Sequence, residues 1–232
     1  QVAAAPQTGG MRVDDFQLSD QNYIARHLYK MKDAKAVVLI SYAAGDSTVR
    51  ADAPTYMALK NAYASKGVEF LMIDSVLGET RDKVLPAAKA AGLDMPILFD
   101  YEQLVGESLN LDRAAELVVV DPKTWTAAFR GPARSASAKR ALDALVAGTP
   151  IALKAEAPRG GIIKYPLKSA AKKAEISYAR DVAPIIQAKC VACHQQGGLG
   201  PMKLTTYQEI KAFAPMMREA LRSKRMPPFQ SD

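Results

Sequence analysis

The chain has 232 residues, of which 49% are hydrophobic and 24% are charged, as is usual for a globular protein of one or two domains. It contains no apolar run near the roughly 20 residues that a membrane span requires. The net charge of +7 is uneven, because residues 1–150 carry 17 Lys and Arg against 18 Asp and Glu, whereas residues 151–232 carry 14 against 6. Since no nucleic-acid-binding motif accompanies these charges, we expect an acidic partner protein or a solvated basic segment, and no nucleic acid.

The first part of the chain predicts a layer of strands covered by helices. Apolar, β-branched runs predict buried strands at 36–42, 68–74 and 116–121, and residues 95–100 lead into a further strand. Helical spacing of apolar residues predicts helices at 54–65, 81–91 and 136–147, each with a glycine close behind its end. Strands that alternate with helices of this length indicate an α/β domain.

In order and spacing, residues 13–148 resemble the thioredoxin-like fold, in its peroxiredoxin and TlpA-like redoxin branch. The resemblance implies a reactive cysteine in the loop after the first strand, but the loop 43–50 contains none. It also implies a cis proline before the strand that contains Val118, where Arg113-Ala114-Ala115-Glu116 stands instead. Because thiol-disulfide exchange requires a thiolate, we predict a redox-inactive domain that serves as a scaffold or docking surface.

The regular pattern ends after residue 148. Proline, glycine and lysine are frequent in residues 149–175, which predicts a basic linker. Residues 176–232 carry short helical signals, and residues 1–12 are expected to form an N-terminal tail. The start of the chain, Gln1-Val2-Ala3-Ala4-Ala5-Pro6, fits the end that remains when a signal peptide is removed.

The sequence Cys190-Val191-Ala192-Cys193-His194 is the attachment signature of c-type haem. Two cysteines three positions apart on a helical turn can form thioethers to two vinyl groups of one macrocycle, and the next residue then projects under the iron. We therefore predict one covalent haem c, with Cys190 and Cys193 as its attachment points and His194 as the proximal iron ligand. A redox-active cysteine pair would follow a strand, and a zinc site would need a fourth ligand.

Residues 176–229 resemble the small cytochrome c modules attached to secreted bacterial redoxin-like and copper-monooxygenase-like proteins. The resemblance implies that the methionine of the Met-Pro-Pro stretch, Met226, is the sixth iron ligand. It also implies haem attachment outside the cytoplasm, so we expect a periplasmic protein. The predicted fold class is therefore an α/β thioredoxin-like domain followed by a small all-α cytochrome c module.

The positions of the other methionines also favour Met226 as the distal ligand. Met216 and Met217 lie in a predicted helix, where packing is the usual role of methionine. Met202 follows His194 by only eight residues, which leaves little chain to pass around the haem edge. Pro227 stiffens the backbone directly after Met226.

Histidine and methionine ligation closes the iron coordination, which suits single-electron transfer and requires no catalytic residue. We expect a redox partner protein, either a larger oxidoreductase complex or a second copy of the chain. A module of 57 residues is short for enclosing a haem, so we also expect another surface to cover part of it.

Four alternatives stay open at this point. A haem peroxidase would have an open iron site, and a docking subunit of a larger oxidoreductase complex would use the haem only secondarily. A third alternative is a serine nucleophile at Ser47, beside Asp46. Such a serine needs a base to activate it, and His27 is the only histidine outside the haem motif. His27 is also a rival candidate for the second haem ligand, although a structural role suits a lone histidine better.

Overall fold

The computed structural model describes residues 11–149, 151–166, 175–222 and 225–227. The chain divides into two compact units, Gln1–Tyr165 and Pro166–Asp232. Within the described ranges, no helix has the length and hydropathy needed to cross a membrane.

The first unit is built on a mixed six-stranded sheet with a two-stranded hairpin beside it. Its strands are β1 Gln17–Ser19, β2 Ala25–His27, β3 Ala36–Tyr42, β4 Val68–Asp74, β5 Ile97–Phe99, β6 Glu116–Asp121, β7 Thr126–Pro132 and β8 Lys154–Ala155. The sheet order is β5-β4-β3-β6-β7-β8, and β1 pairs with β2. Strands β3, β4 and β5 are parallel to one another, whereas β6 is antiparallel to both of its neighbours.

Four helices connect these strands: α1 Ser47–Tyr63, α2 Arg81–Ala90, α3 Leu104–Leu109 and α4 Ala136–Ala147. The predicted alternation of strands and helices is therefore confirmed. Helix α1 begins seven residues before the predicted start at Pro54, because Asp46 caps it. The Oδ1 atom of Asp46 accepts hydrogen bonds from the backbone N–H groups of Thr48 and Val49, both at 2.9 Å.

Strand β3 forms the centre of the core, and all seven of its residues are buried. Its side chains alternate between the two faces of the sheet. Val38 and Ile40 belong to the cluster that includes Tyr56 of α1, and Val37 and Leu39 belong to the cluster on the other face. A strand covered on both faces must be apolar throughout, which explains why its sequence is a continuous hydrophobic run.

The predicted linker 149–175 is partly structured, because the first unit extends to Tyr165. Strand β8 pairs with β7, and the side chains of Ile163 and Tyr165 are buried in the core cluster. The Tyr165 hydroxyl donates a hydrogen bond of 2.8 Å to the carbonyl oxygen of Leu111. We call residues 156–165 the strap. Its prolines and glycines favoured a linker in the sequence, but isolated buried residues fix it to the domain.

In the second unit, the described residues form helices and turns. A π-helical turn at Tyr178–Val182 leads into α5 Ala183–Lys189, and α6 spans Tyr207–Arg222. A capping box begins α6: the N–H of Thr206 donates to Oε2 of Glu209 at 3.0 Å, and the N–H of Glu209 donates to Oγ1 of Thr206 at 3.3 Å. Hydrogen bonds to this carboxylate, foremost that from the Thr205 hydroxyl, lower the pKa of Glu209 to about 2.

The structural role of the strap can be tested with two adjacent isoleucines. Ile163→Ala should lower the free energy of unfolding of the first unit by roughly 2–5 kcal/mol, because it leaves a cavity in the core. Ile162→Ala is the matched control, since its side chain is 68% exposed, and it should change stability by less than about 0.5 kcal/mol. Denaturant unfolding measures both, and equal effects of the two substitutions would mean that the strap does not pack on the core.

Candidate functional site

The loop Ala43-Ala44-Gly45 joins β3 to α1 at the place where a reactive cysteine was implied. The backbone N–H of Ala44 donates a hydrogen bond of 2.8 Å to Oε2 of the buried Glu79. The Asp46 carboxylate occupies the N-terminus of α1, where the positive end of the helix dipole would stabilise a thiolate. Hydrogen-bonded carboxylates, and not a thiol, therefore define the chemistry of this loop. The sequence contains cysteine only at 190 and 193.

The strap lies across the residues that precede β6. The N–H of Ala114 donates to the carbonyl oxygen of Gly161, and the N–H of Ile163 donates to that of Asp112, both at 2.9 Å. The N–H of Gly161 also donates to Oδ2 of Asp46 at 2.9 Å. A Cβ at Gly160 would collide with the Ala114 carbonyl oxygen, so the strap requires a glycine where it crosses. The strap therefore occupies the backbone hydrogen-bonding groups of the residues before β6.

Ala115 lies in the stretch 113–116, where the cis proline was implied, and has a left-handed backbone with φ of +60°. Its N–H donates a hydrogen bond of 2.8 Å to the carbonyl oxygen of Ser41 in β3. Proline has no N–H and cannot make this bond. The missing proline is thus replaced by a different backbone connection to the central strand.

Asp74, at the carboxyl end of β4, is a buried carboxylate that sequence reasoning missed. Desolvation by burial raises its pKa to about 7, although the hydrogen bond from the N–H of Val76 opposes this effect. The negative charges of Glu79 and Asp100 raise the pKa further. The group therefore changes charge near neutral pH, beside the position that lacks a thiol.

His27 is positioned by a carboxylate. Its Nε2 atom lies 2.6 Å from Oδ2 of Asp15, whose Oδ1 accepts a hydrogen bond from the N–H of Tyr29. Asp46, the neighbour of the candidate nucleophile Ser47, uses its carboxylate to cap α1 and to anchor the strap. These contacts favour structural roles for His27 and Asp46.

The predicted haem-attachment residues lie directly after α5. The N–H groups of Cys193 and His194 both donate to the carbonyl oxygen of Cys190, at 3.2 and 2.9 Å, so the motif forms a helical turn. Both cysteine side chains are half-buried. Burial raises the pKa of the Cys190 thiol, which disfavours the thiolate that disulfide exchange would need.

The imidazole ring of His194 is buried and has a defined hydrogen-bond partner. Its Nδ1 atom lies 3.1 Å from the carbonyl oxygen of Met202. Because a carbonyl oxygen only accepts, this contact places a proton on Nδ1, and in the neutral ring the lone pair then lies on Nε2. A neutral imidazole with a free Nε2 is the form that binds a metal ion. Met202 makes this contact through its backbone carbonyl and not through its side chain.

Apolar side chains surround this motif. Ile186, Leu204 and Ile210 form a small buried cluster, and Cys190 and Met202 pack against it half-buried. Large apolar residues in the same unit are also exposed, among them Leu199 at 94% and Ile185 at 62%. An apolar surface of this kind around a buried histidine would fit a planar apolar group.

Met226 follows α6 and is 39% exposed. Its backbone N–H donates a hydrogen bond of 3.3 Å to the carbonyl oxygen of Ala220, which ties it to the last turns of the helix. Met217 packs partly buried against the small cluster, in agreement with a packing role, whereas the side chain of Met216 and all of Pro228 lie outside the described residues. The assignment of Met226 as an iron ligand stays a prediction.

Comparisons with solved structures show what fold the chain has. A hypothetical protein from Sinorhizobium meliloti matches with a TM-score of 0.59 and 23% identity, over 69% of this chain and 96% of that one. An uncharacterised conserved protein from Geobacillus kaustophilus matches with a TM-score of 0.59 and 24% identity, over 67% and 91%. A protein from Chlorobium tepidum, provisionally named thiol:disulfide interchange protein DsbE, matches with a TM-score of 0.50 and 14% identity, over 60% and 96%.

No protein-family model and no curated protein matches the chain. The likeness to solved structures, together with the sheet topology, defines a protein with a thioredoxin-like fold. The resemblance inferred from residues 13–148 is confirmed at the level of the fold.

The raised pKa of Asp74 predicts an unusual dependence of stability on pH. Its pKa in the folded protein, about 7, exceeds the ordinary value of 3.8, so the unfolded chain binds fewer protons between these values. The free energy of unfolding should therefore fall as pH rises from 4 to 7, by at most roughly 4 kcal/mol from this group. Asp74→Asn should flatten this slope, while the exposed Asp82→Asn should retain it. Denaturant unfolding at pH 5 and pH 8 measures the difference, and an unchanged slope in Asp74→Asn would contradict the prediction.

Proposed function

We propose that the protein is a periplasmic c-type cytochrome, in which one covalent haem c passes single electrons to or from a partner protein. The observation that carries this proposal is the hydrogen bond from Nδ1 of His194 to the Met202 carbonyl oxygen, within a Cys-x-x-Cys-His motif. It leaves Nε2 of a buried ring available to an iron. Cys190 and Cys193, on one helical turn, would provide the two thioether sulfurs.

The residues of the second unit fit this group. His194 would hold the iron from the proximal side and Met226 from the distal side, while the cluster around Ile186 would contact the macrocycle. Bound haem supplies an iron that alternates between the ferric and ferrous states and so carries one electron. The protein's part is to fix the ligand geometry and to exclude water from the proximal ring.

The thioredoxin-like unit would serve as a scaffold or docking surface. The absence of cysteine from residues 1–165, the carboxylate at the N-terminus of α1 and the strap across the edge before β6 support this role. Thiol-disulfide exchange would instead need a reactive thiolate at this end of the domain.

The partner is proposed to be a redox protein with an acidic surface, either part of a larger oxidoreductase complex or a second copy of the chain. Residues 166–232 contain 11 Lys and Arg against 5 Asp and Glu. Such an excess of positive charge accelerates association with an acidic partner and makes it sensitive to salt.

Covalent attachment is the first test. Protein produced in the bacterial periplasm should keep its haem through acid-acetone extraction, because thioethers survive while axial bonds do not. Its mass should exceed that of the polypeptide by one haem. Cys190→Ala combined with Cys193→Ala should lose the haem on extraction, and a wild-type mass equal to the bare polypeptide would refute the proposal.

The distal ligand can be tested with two methionine variants. Met226→Ala should open the iron, so that the reduced protein binds carbon monoxide rapidly and the thioether-to-iron absorption band disappears. Met202→Leu should retain the band, because the contact of Met202 with His194 is made through its backbone. Rapid carbon monoxide binding by the wild-type protein would instead favour a haem peroxidase with an open iron site.

A further inference from the structure

Gly200 lies directly against the imidazole ring of His194. A Cβ at this position would come within 2.7 Å of both Cε1 and Cγ of the ring, and closer still to Nδ1. Real Cβ atoms essentially never approach other atoms to less than 3.0 Å. Any side chain at residue 200 would therefore displace the ring or the loop.

The requirement for glycine here is one of space. Gly200 is not among the glycines with positive φ, so its backbone is accessible to other residues. Gly197 in the same loop is the opposite case, since it has φ of +76° and a Cβ added there would have no other atom within 4 Å. Substitutions at these two glycines therefore distinguish the effect of contact with the ring from the effect of backbone conformation.

The loop that carries Gly200 is fastened to the haem motif. The N–H of Gly200 donates a hydrogen bond of 2.7 Å to the carbonyl oxygen of Cys193. The N–H of Leu204 donates one of 2.9 Å to the carbonyl oxygen of His194, and the Leu204 side chain is buried. Pro201 further restricts the backbone between these two bonds. These bonds oppose displacement of the loop, so we expect the ring to move.

We propose that Gly200 is a positioning residue of the haem site, which fixes the plane of the His194 ring and with it the direction of the Nε2 lone pair. The proposal rests on the proposed function, because the ring orientation matters only if Nε2 binds iron. Groups that contact the ligands of a metal orient those ligands and tune the metal's reduction potential. Gly200 would act in this way through its missing side chain, together with the Met202 carbonyl that holds Nδ1.

The test compares Gly200→Ala with Gly197→Asn in the full haem-loaded chain. Asparagine tolerates positive φ, so Gly197→Asn changes the loop without touching the ring. Both variants should retain covalent haem, which depends on the cysteines. Gly200→Ala should change the spread of g values in the electron paramagnetic resonance spectrum of the ferric protein and shift its midpoint potential, whereas Gly197→Asn should match the wild type. Identical spectra and potentials for Gly200→Ala and the wild type would overturn the proposal.

If Gly200→Ala carries no haem, a double-mutant comparison in the haem-free chain decides the matter. His194→Ala removes the ring and with it the collision. Gly200→Ala should then lower the unfolding temperature of the second unit when His194 is present and leave it unchanged in the His194→Ala background. An equal loss in both backgrounds would overturn the proposal. A wild-type chain without covalent haem would contradict the proposed function instead, and the double-mutant comparison would still test the contact.

Discussion

The Asp46 carboxylate connects the parts of the first unit that define its character. One oxygen caps α1, and the other holds the strap through the N–H of Gly161. The strap in turn brings Ile163 and Tyr165 into the core and covers the backbone before β6. A single carboxylate thus links the start of α1 to the attachment of the strap. The N–H groups of both segments need a hydrogen-bond acceptor at the same point.

In the second unit, the hydrogen bond between His194 and Met202 has a similar role. The Met202 carbonyl accepts a hydrogen bond from Nδ1 of His194, and Gly200 limits how the ring can lie. Both belong to a loop that returns to the motif through backbone bonds to Cys193 and His194. The orientation of the His194 ring therefore depends on a backbone carbonyl, which no side-chain substitution removes directly, and on the absence of a side chain at residue 200.

Sequence patterns predicted the strands and helices that are determined by residues close together in the chain. Strand β3 occupies 36–42 as expected, because burial on both faces demands a continuous apolar run, and α4 ends before Gly148 because that glycine adopts φ of +72°. The strap was missed because its pairing with residues 112–114 is distant in sequence and only alternate side chains are buried. The Cys-x-x-Cys-His motif was found from spacing alone, but the roles of Gly200 and the Met202 carbonyl depend on the path of the loop in space.

The first unit also illustrates what replaces a reactive thiol when the fold is kept. The N-terminus of a helix favours a negative charge, and a thiolate would supply it only in the reduced protein. Asp46 supplies a charge that does not depend on redox state, and Glu79 binds the adjacent N–H of Ala44. Neither carboxylate gains or loses its charge on oxidation or reduction. Under the proposed function, redox change is confined to the haem unit, and the thioredoxin-like unit presents the same surface to a partner before and after electron transfer.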